Sequence, residues 1–445
     1  MFKLCFIDNI LGNLKKDKNF SNILKGGSVT FISKIVTVIA TLLFNFIVAR
    51  NYGASATGIL SFSINFVKIV SIFVLFGLNI SILKYIPEHR TKYSEKSARK
   101  IYWKSFKIVT VTSIVVFFII LIFSENLASL FDKPHFNTYI LISGFFILPN
   151  ALYLYHTAVM KAYKRINSYA LIEIGSHSFK VILLLLITLF YINQKVPVIA
   201  FYLGPAVGVC LFLYNLKDKI FKIENEISKK IKEVPGKNIL LFSLPMFFIA
   251  ISHTVNNSAS IMVLSYYESD ANIGILHIAH RLTALIPFML IAINSVAAPK
   301  FSELYAKGDI KALSKLSKQA TLVVFIFSLV VSSIYFVFGK EILNLFGEEF
   351  VSGYLALIII SIGKLINAST GSVGWLLNMT DSQKHYAGIV IFTTLLNISL
   401  NFYLIPIYGI LGAAIAISIS EILNNLLAFI LVKLKLGFWN FFILK

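Results

Sequence analysis

Long apolar runs alternate with short polar segments along this chain, and the runs are long enough to cross a membrane. About 20 apolar residues in helical form span the hydrocarbon core of a bilayer. Twelve such stretches can be marked: 28–49, 58–82, 106–124, 138–160, 169–191, 196–214, 239–264, 274–297, 319–338, 352–376, 385–404 and 410–432. Interior Pro and Gly, such as Pro149, Pro205, Pro245, Pro287, Gly371 and Gly374, fit spans, because membrane helices tolerate them. The pattern predicts an all-α integral membrane fold of about twelve helices in two six-helix bundles. Those bundles are residues 28–214 and 239–432. Residues 1–27 form a tail, residues 215–238 a linker with seven lysines, and residues 433–445 a second tail.

The polar segments set the orientation. With the N-terminus inside and the spans alternating, the inner segments carry 32 Lys and Arg and the outer ones four (Arg50, Lys133, Lys195, Lys340). Lys and Arg accumulate on the cytoplasmic side of membrane proteins, so both termini and the linker are expected in the cytoplasm. The first apolar run is longer than the core of a secretory signal, so none is read there. The Ala54-Ser55-Ala56 triplet is read as a loop.

Composition agrees. Apolar residues make up 57% and charged ones 14%, against about 45–50% and about 25% in soluble domains. The net charge of +21 sits in short loops rather than in a basic domain. Nucleic acid is therefore not an expected partner. Cys5 and Cys210 form no metal spacing and no expected disulfide. Neither a metal nor a cofactor is indicated.

The halves echo each other. Gly58-Ile59-Leu60 recurs as Gly274-Ile275-Leu276, Asn150 as Asn367, and Tyr169-Ala170 as Tyr386-Ala387, at offsets of 216 or 217. The shared offset suggests a duplicated unit whose copies run parallel, with the substrate route at their interface.

Five cations fall within spans: Lys34, Lys68, Lys180, Arg281 and Lys364. Two carboxylates do so, Glu173 and Glu421, each read as isolated. Ionisable groups inside a membrane are costly and usually line a route or a cavity. Helical spacing puts Asn65 on the face of Lys68 and Asn367 on that of Lys364, and Asn257 on a polar face of span seven with His253 and Ser260. Together they predict one cationic cavity, suited to an anionic cargo. Glu173 and Glu421 are the candidates for coupling transport to an ion gradient or the membrane potential. His156 and His177 are read as helix–helix hydrogen-bond partners. Pro87 and Pro299 are read as helix stops, and Pro406 with Gly409 as a tight outer turn. Glu348 and Glu349 are read as a solvated loop end.

Several stretches carry a family resemblance: Phe76-Gly77-Leu78 with Leu83-Lys84-Tyr85-Ile86-Pro87-Glu88; Ala298-Pro299-Lys300-Phe301-Ser302-Glu303-Leu304-Tyr305; Leu377-Asn378-Met379-Thr380; and Leu404-Ile405-Pro406-Ile407-Tyr408-Gly409-Ile410-Leu411-Gly412-Ala413-Ala414. Together they resemble the polysaccharide (O-antigen type) flippases of the multidrug/oligosaccharidyl-lipid/polysaccharide superfamily. The resemblance implies a bacterial inner-membrane transporter, not an enzyme. Its cargo would be a polyprenyl-pyrophosphate-linked oligosaccharide, with membrane lipid and polysaccharide polymerase or assembly proteins as partners. Lys34, Lys68 and Arg281 match the cations such flippases carry on the first, second and eighth spans. Family members often have Asp in span seven and Gly at the position of Asp381. Here Asn256-Asn257-Ser258-Ala259-Ser260 has no carboxylate, which puts ion coupling through that span in doubt. A small-molecule antiporter of the multidrug type is the nearest alternative, although its cargo is usually cationic. A membrane polymerase or glycosyltransferase is the remoter one, since the outer acidic residues are scattered in short loops.

Overall fold

A computed structural model describes residues 18–219 and 236–441. Most of the linker, Cys5 and residues 1–17 of the first tail lie outside the described residues. The described residues form fifteen α-helices and one 3-10 helix. In order they are α1 (Lys18–Leu75), α2 (Leu78–Lys92), α3 (Glu95–Ser129), α4 (Phe136–Phe145), α5 (Ile147–Ala162), α6 (Ile166–Thr188) and α7 (Val196–Lys219). After the linker come α8 (Gly236–Tyr267), α9 (Asp270–Thr283), α10 (Phe288–Ala306) and α11 (Ile310–Phe346). The 3-10 turn Glu348–Gly353 leads into α12 (Tyr354–Thr370), α13 (Val373–Met379), α14 (Gln383–Tyr408) and α15 (Ile410–Leu436).

The apolar stretches all fall on helix, and four of them are broken. Span two breaks at Phe76–Gly77, span four between α4 and α5, span eight between α9 and α10, and span ten at Gly371–Ser372. Among the described residues, eight helices are long and apolar enough to cross a membrane, or nine if the bent α4–α5 pair (46°) counts as one. Helix α1 counts once there, yet it carries two of the stretches. Its 58 residues would make a rod of ~87 Å at ~1.5 Å per residue. It does not stay straight. Gly53, at φ 81° and ψ −179°, interrupts it, in a region that residues with a side chain rarely adopt. Helix resumes at once, so Ala54-Ser55-Ala56 is helical and not a loop.

Helix α3 shows which solvent the fold is built for. It buries Ser97, Ser105, Ser113 and Ser124 and exposes Val111, Ile114, Val115, Phe118, Ile119 and Ile122. Helix α11 likewise buries Ser317, Ser328 and Ser332 and exposes Val323, Ile326 and Val330. That is the reverse of a soluble helix. Lipid tails are as apolar as the side chains they meet, so small residues take the helix contacts.

Several expectations about prolines and acids need correcting. Pro87 lies inside α2 and Pro299 within α10, so neither stops its helix. Proline gives up its own N–H bond and crowds the carbonyl four residues back; membrane helices tolerate this because neighbouring helices and side chains satisfy the freed backbone groups, and the helix runs on. Pro406 lies inside α14, and the turn is made by Gly409 alone, at φ 54°. Glu349 is exposed, as a solvated loop end would be, but it also has a partner: its Oε1 accepts from the Ala54 N–H and so caps the helix that restarts after Gly53.

The Lys-poor end of the molecule is shut by contacts between the two parts of the chain. A Cβ placed on Gly58 of α1 would lie 1.7 Å from the Asp270 carbonyl oxygen of α9. One placed on Gly274 would lie 2.1 Å from the Ala54 carbonyl oxygen. These are the glycines that the internal echo aligns, and the fold presses them together. Lys133 seals the same end, donating to Asp270 Oδ1 at 2.8 Å and to the Glu268 carbonyl at 2.6 Å. His135 Nε2 lies 2.7 Å from Asp270 Oδ2.

Candidate functional site

Lys68 on α1, Lys180 on α6 and Arg281 on α9 lie deep among the helices. Counted from the Lys-poor ends of their helices at ~1.5 Å per residue, Lys180, Arg281 and Lys68 are ~12, ~16 and ~21 Å in. The hydrocarbon core is ~30 Å thick, so they cluster about its middle. The Arg281 charge acts on Lys68, Lys180 and His277. Among the described residues none of the three cations has a carboxylate at ion-pair distance. Lys180 is buried, with its ammonium 4.5 Å from the Phe201 ring centre and 5.5 Å from that of Phe44, where the ring faces attract a cation. Lys68 stays accessible although protein surrounds it, and Arg281 is partly so. Both therefore open onto interior space. Next to them His277 Nε2 lies 3.0 Å from Asn45 Oδ1, tying α9 to α1.

The other two cations are paired. Lys34 donates to Glu173 Oε1 at 2.8 Å. Glu173 also accepts from the hydroxyls of Tyr169 (2.7 Å) and Tyr153 (2.8 Å). Lys364 lies 2.7 Å from Glu421 Oε2, and Asn367 donates to Glu421 Oε1 at 2.7 Å. Neither carboxylate is isolated, contrary to the sequence reading. Linear sequence could not show this, because each pair joins helices far apart in the chain. Removing either partner leaves the other charge unpaired in a partly buried site, so Lys364 and Glu421 are poor places to test binding by truncation.

The predicted residues do not all share one chamber. A cavity of about 330 Å³ opens among α8, α9, α10 and α12 to α15. Lys364, Asn367 and Glu421 line it; Lys34, Lys68, Lys180, Arg281 and Asn65 do not. Asn65 is buried, and its amide donates to the Ser61 carbonyl at 2.8 Å in its own helix. The side chains of Asn257 and His253 lie outside those described. His280 bridges the two regions: it lines the cavity and feels the charges of Lys364, Arg281 and Lys68. His156 packs as expected, stacked on Phe212 at 3.7 Å with Nε2 3.4 Å from the Tyr102 hydroxyl. His177 instead bonds within its own helix, Nδ1 lying 2.9 Å from the Glu173 carbonyl.

Sequence reasoning missed much of the cavity wall. Asn294, Asn397, Trp375 and Tyr386 line it, and none belongs to a charged stripe on its helix. Only the six neutral amides spread over these helices hinted at a polar interior: Asn256, Asn294, Asn367, Asn397, Asn424 and Asn425.

Comparison with known proteins agrees with this architecture. The family model described as polysaccharide biosynthesis protein matches residues 23–305, and the MatE model matches residues 245–404. The probable flippase AglR of Haloferax volcanii is 29% identical over 174 residues, covering 38% of this chain and 36% of that protein. The capsular polysaccharide biosynthesis protein CapF of Staphylococcus aureus is 23% identical over 218 residues, 48% of this chain and 54% of that one. The chain thus matches about a third to a half of the length of these curated relatives. An inward-facing multidrug resistance MATE transporter of the MOP superfamily superposes with TM-score 0.74 at 14% identity, over 90% of this chain and 94% of that one. The lipid II flippase MurJ in an inward closed conformation gives 0.72 at 18%, over 92% and 87%. At these identities the structural likeness concerns the fold. The family match covers well over half of the chain, and several helices are long and apolar enough to cross a membrane, so the chain belongs to the polysaccharide biosynthesis protein family and is a multi-pass membrane protein.

Proposed function

We propose that the protein flips an oligosaccharide linked to a polyprenyl diphosphate from the inner to the outer leaflet of the cytoplasmic membrane. The observation that carries this reading is the set of three cations near mid-depth with no carboxylate at ion-pair distance: Lys68, Lys180 and Arg281. Holding like charges together in a low dielectric is costly; an anionic cargo would relieve that cost on arrival. A diphosphate carries the charge, and Arg can bind it bidentately. The lipid tail stays in the bilayer, and two six-helix bundles rock about the charged centre. The state described here is closed at the Lys-poor end, around Gly58 and Gly274.

The test is translocation in sealed vesicles containing the purified protein and a fluorescent polyprenyl-diphosphate-linked glycan. Flipping above the protein-free rate is the expected result; none, with folded protein present, would refute the reading. The same vesicles with all ion gradients collapsed test whether transport is driven through Glu421 or Glu173. A small-molecule antiporter is the second reading, favoured by the MatE match over residues 245–404. It requires gradient-driven uptake of a cationic dye that the glycolipid does not inhibit.

The twelve-span layout with both termini cytoplasmic is part of the proposal. In a background lacking Cys5 and Cys210, Ser129→Cys should react with an impermeant maleimide from outside the cell and Ser228→Cys only after permeabilisation. Labelling of Ser228→Cys from outside would overturn the layout.

A further inference from the structure

Helix α3 is longer than the hydrocarbon it crosses. Its 35 residues run ~52 Å at ~1.5 Å each. Even a steep tilt of ~40° leaves ~40 Å along the membrane normal, against ~30 Å of hydrocarbon. The excess lies at the Lys-rich end. Exposed apolar side chains run from Val111 to Phe123 and stop before Ser124 and Glu125. Counted back ~20 residues from Ser124, the hydrocarbon ends near Ser105.

One face of α3 crosses that boundary without turning away from lipid. Lys96, Lys100, Trp103 and Lys107 are all exposed. They follow one another three or four residues apart, which keeps them on one side of a helix. The same spacing continues as Val111, Ile114, Phe118 and Ile122, all exposed to the acyl chains. The lysines therefore share the surface that meets the leaflet. Trp103 and Lys100 stand ~3 and ~8 Å beyond Ser105, and the headgroup layer is ~5–7 Å deep on each side. Trp103 is thus inside that layer, where indoles anchor membrane proteins. Lys107 snorkels out to it, Lys100 stands at its rim, and Lys96 lies just beyond.

The pattern recurs after the linker. Helix α11 also overruns the hydrocarbon, with 37 residues, and begins with exposed Lys311 and Lys315. These lead into exposed Val323, Ile326, Val330 and Ile334 on the same side. Lys96 and Lys311 are 215 residues apart, as are Lys100 and Lys315. Each half of the chain thus carries a basic foot at the start of its third span.

The charge of these feet is not used up within the protein. Arg90 and Lys92 nearby are paired, 2.7 Å from Glu95 Oε2 and 2.8 Å from Glu88 Oε1. Among the described residues Lys96, Lys107, Lys311 and Lys315 have no carboxylate at ion-pair distance. Asp309, beside the second foot, caps α11 at the Ala312 N–H. An acidic soluble partner would reach Lys96, but to meet Trp103 and Lys107 it would have to displace headgroups. A zwitterionic headgroup brings its own ammonium against the lysines. An anionic phospholipid brings a phosphate with no compensating cation, on the surface that the stripe already faces.

We propose that Lys96, Lys100, Trp103 and Lys107 form a docking surface for anionic phospholipid headgroups, with Lys311 and Lys315 of α11 as its counterpart. The leaflet concerned is the cytoplasmic one in the layout proposed above. Lipid then holds both halves of the chain at one depth, whatever the cargo.

The experiment uses Trp103 as its own reporter. A Trp375→Phe/Trp439→Phe background leaves it as the one indole of the chain. The purified full-length protein is placed in phosphatidylcholine bilayers containing brominated lipid, which quenches an indole that it touches. Brominated phosphatidylglycerol should quench Trp103 at a several-fold lower mole fraction than brominated phosphatidylcholine. One basic side chain near an anionic surface is worth roughly fivefold. Lys100→Gln and Lys107→Gln should each cut the preference by up to that factor, and together should remove most of it. Lys100→Arg/Lys107→Arg should keep it, and Lys195→Gln, at the Lys-poor end, should leave it unchanged. Salt at ~1 M, where charges are screened beyond ~3 Å, should erase it. A second measurement uses protein with all three tryptophans. Spin-labelled phosphatidylglycerol should be immobilised at its surface in larger proportion than spin-labelled phosphatidylcholine, and the Lys100→Gln/Lys107→Gln variant should lower the first fraction only. Equal behaviour of the two lipids, or a preference that survives this double variant, would overturn the surface. So would Trp103 emission that no brominated lipid quenches, which puts protein rather than lipid over this face.

Discussion

Arg281→Ala reduces glycolipid flipping per folded transporter by roughly 10- to 150-fold, while the melting temperature of the protein does not fall. The first half follows from what a guanidinium supplies. A hydrogen bond to a charged group contributes ~1.5–3 kcal/mol, and each ~1.4 kcal/mol is a factor of ten. The second half follows from the surroundings. Among the described residues Arg281 has no ion pair, and its charge bears on Lys68, Lys180, His277 and His280. All of these are cations or bases. Deleting it removes repulsion rather than a bond, although its place in the last turn of α9, where a helix end favours positive charge, offsets part of that gain. Arg281→Lys rescues transport only partly, because a point charge cannot reproduce a bidentate fork on phosphate. Lys68→Ala acts in the same direction. Lys364→Ala is a different experiment, since it strands Glu421 and lowers the yield of folded protein. Translocation and thermal unfolding, measured on the same preparations, check all four variants. Wild-type flipping in Arg281→Ala would remove this residue from the site, and a collapse in stability would make it a structural residue.

The sequence carried the spans and the charges but not the partnerships among them. A period and a length suffice to mark a membrane helix, and the twelve marked stretches all fall on helix. In-span charges are equally legible, because so few residues of that kind occur there. Which charge meets which is set by packing between helices. Glu173 was visible; that Lys34, Tyr153 and Tyr169 surround it was not, since Lys34 comes from a helix 139 residues earlier. Broken spans were half legible. Gly53, Gly77 and Gly371 could be seen, but the conformations that make them breaks come from neighbours such as Glu349 and Asn440. Prolines misled in the other direction: Pro87 and Pro299 look like stops and Pro406 like part of a turn, and all three lie inside their helices. The neutral wall of the cavity was least legible, because amides and a lone Trp carry no charge to set them apart from residues that only pack.

Gly58→Ala should stop transport by the largest margin that so small a change can produce. The added methyl would lie 1.7 Å from the Asp270 carbonyl oxygen, where ordinary contact begins at 3.4 Å. The obstacle is backbone, so no rotamer relieves it, and α1 and α9 must part by more than an ångström. Overpacking of this kind costs ~1–3 kcal/mol or more, all of it in the state in which the two helices touch. A conformation with the Lys-poor end open pays none of this. The closed state therefore loses population by roughly 5- to 150-fold, and alternating access stalls with that end ajar. Gly274→Ala should do the same from the other side, since its methyl would meet the Ala54 carbonyl at 2.1 Å. The measurement is the distance between spin labels at Ser129 and Ser352, both exposed at the Lys-poor end, in nanodiscs. Each glycine variant should lengthen it and weaken the Lys133–Asp270 contact, so that a Lys133→Cys/Asp270→Cys crosslink forms more slowly. Loss of fold instead would appear as a lowered melting temperature with no second distance. An unchanged distance together with wild-type flipping would show that the echoed glycines mark only shared ancestry. The closing of the Lys-poor end would then have to be sought in the Lys133–Asp270–His135 cluster.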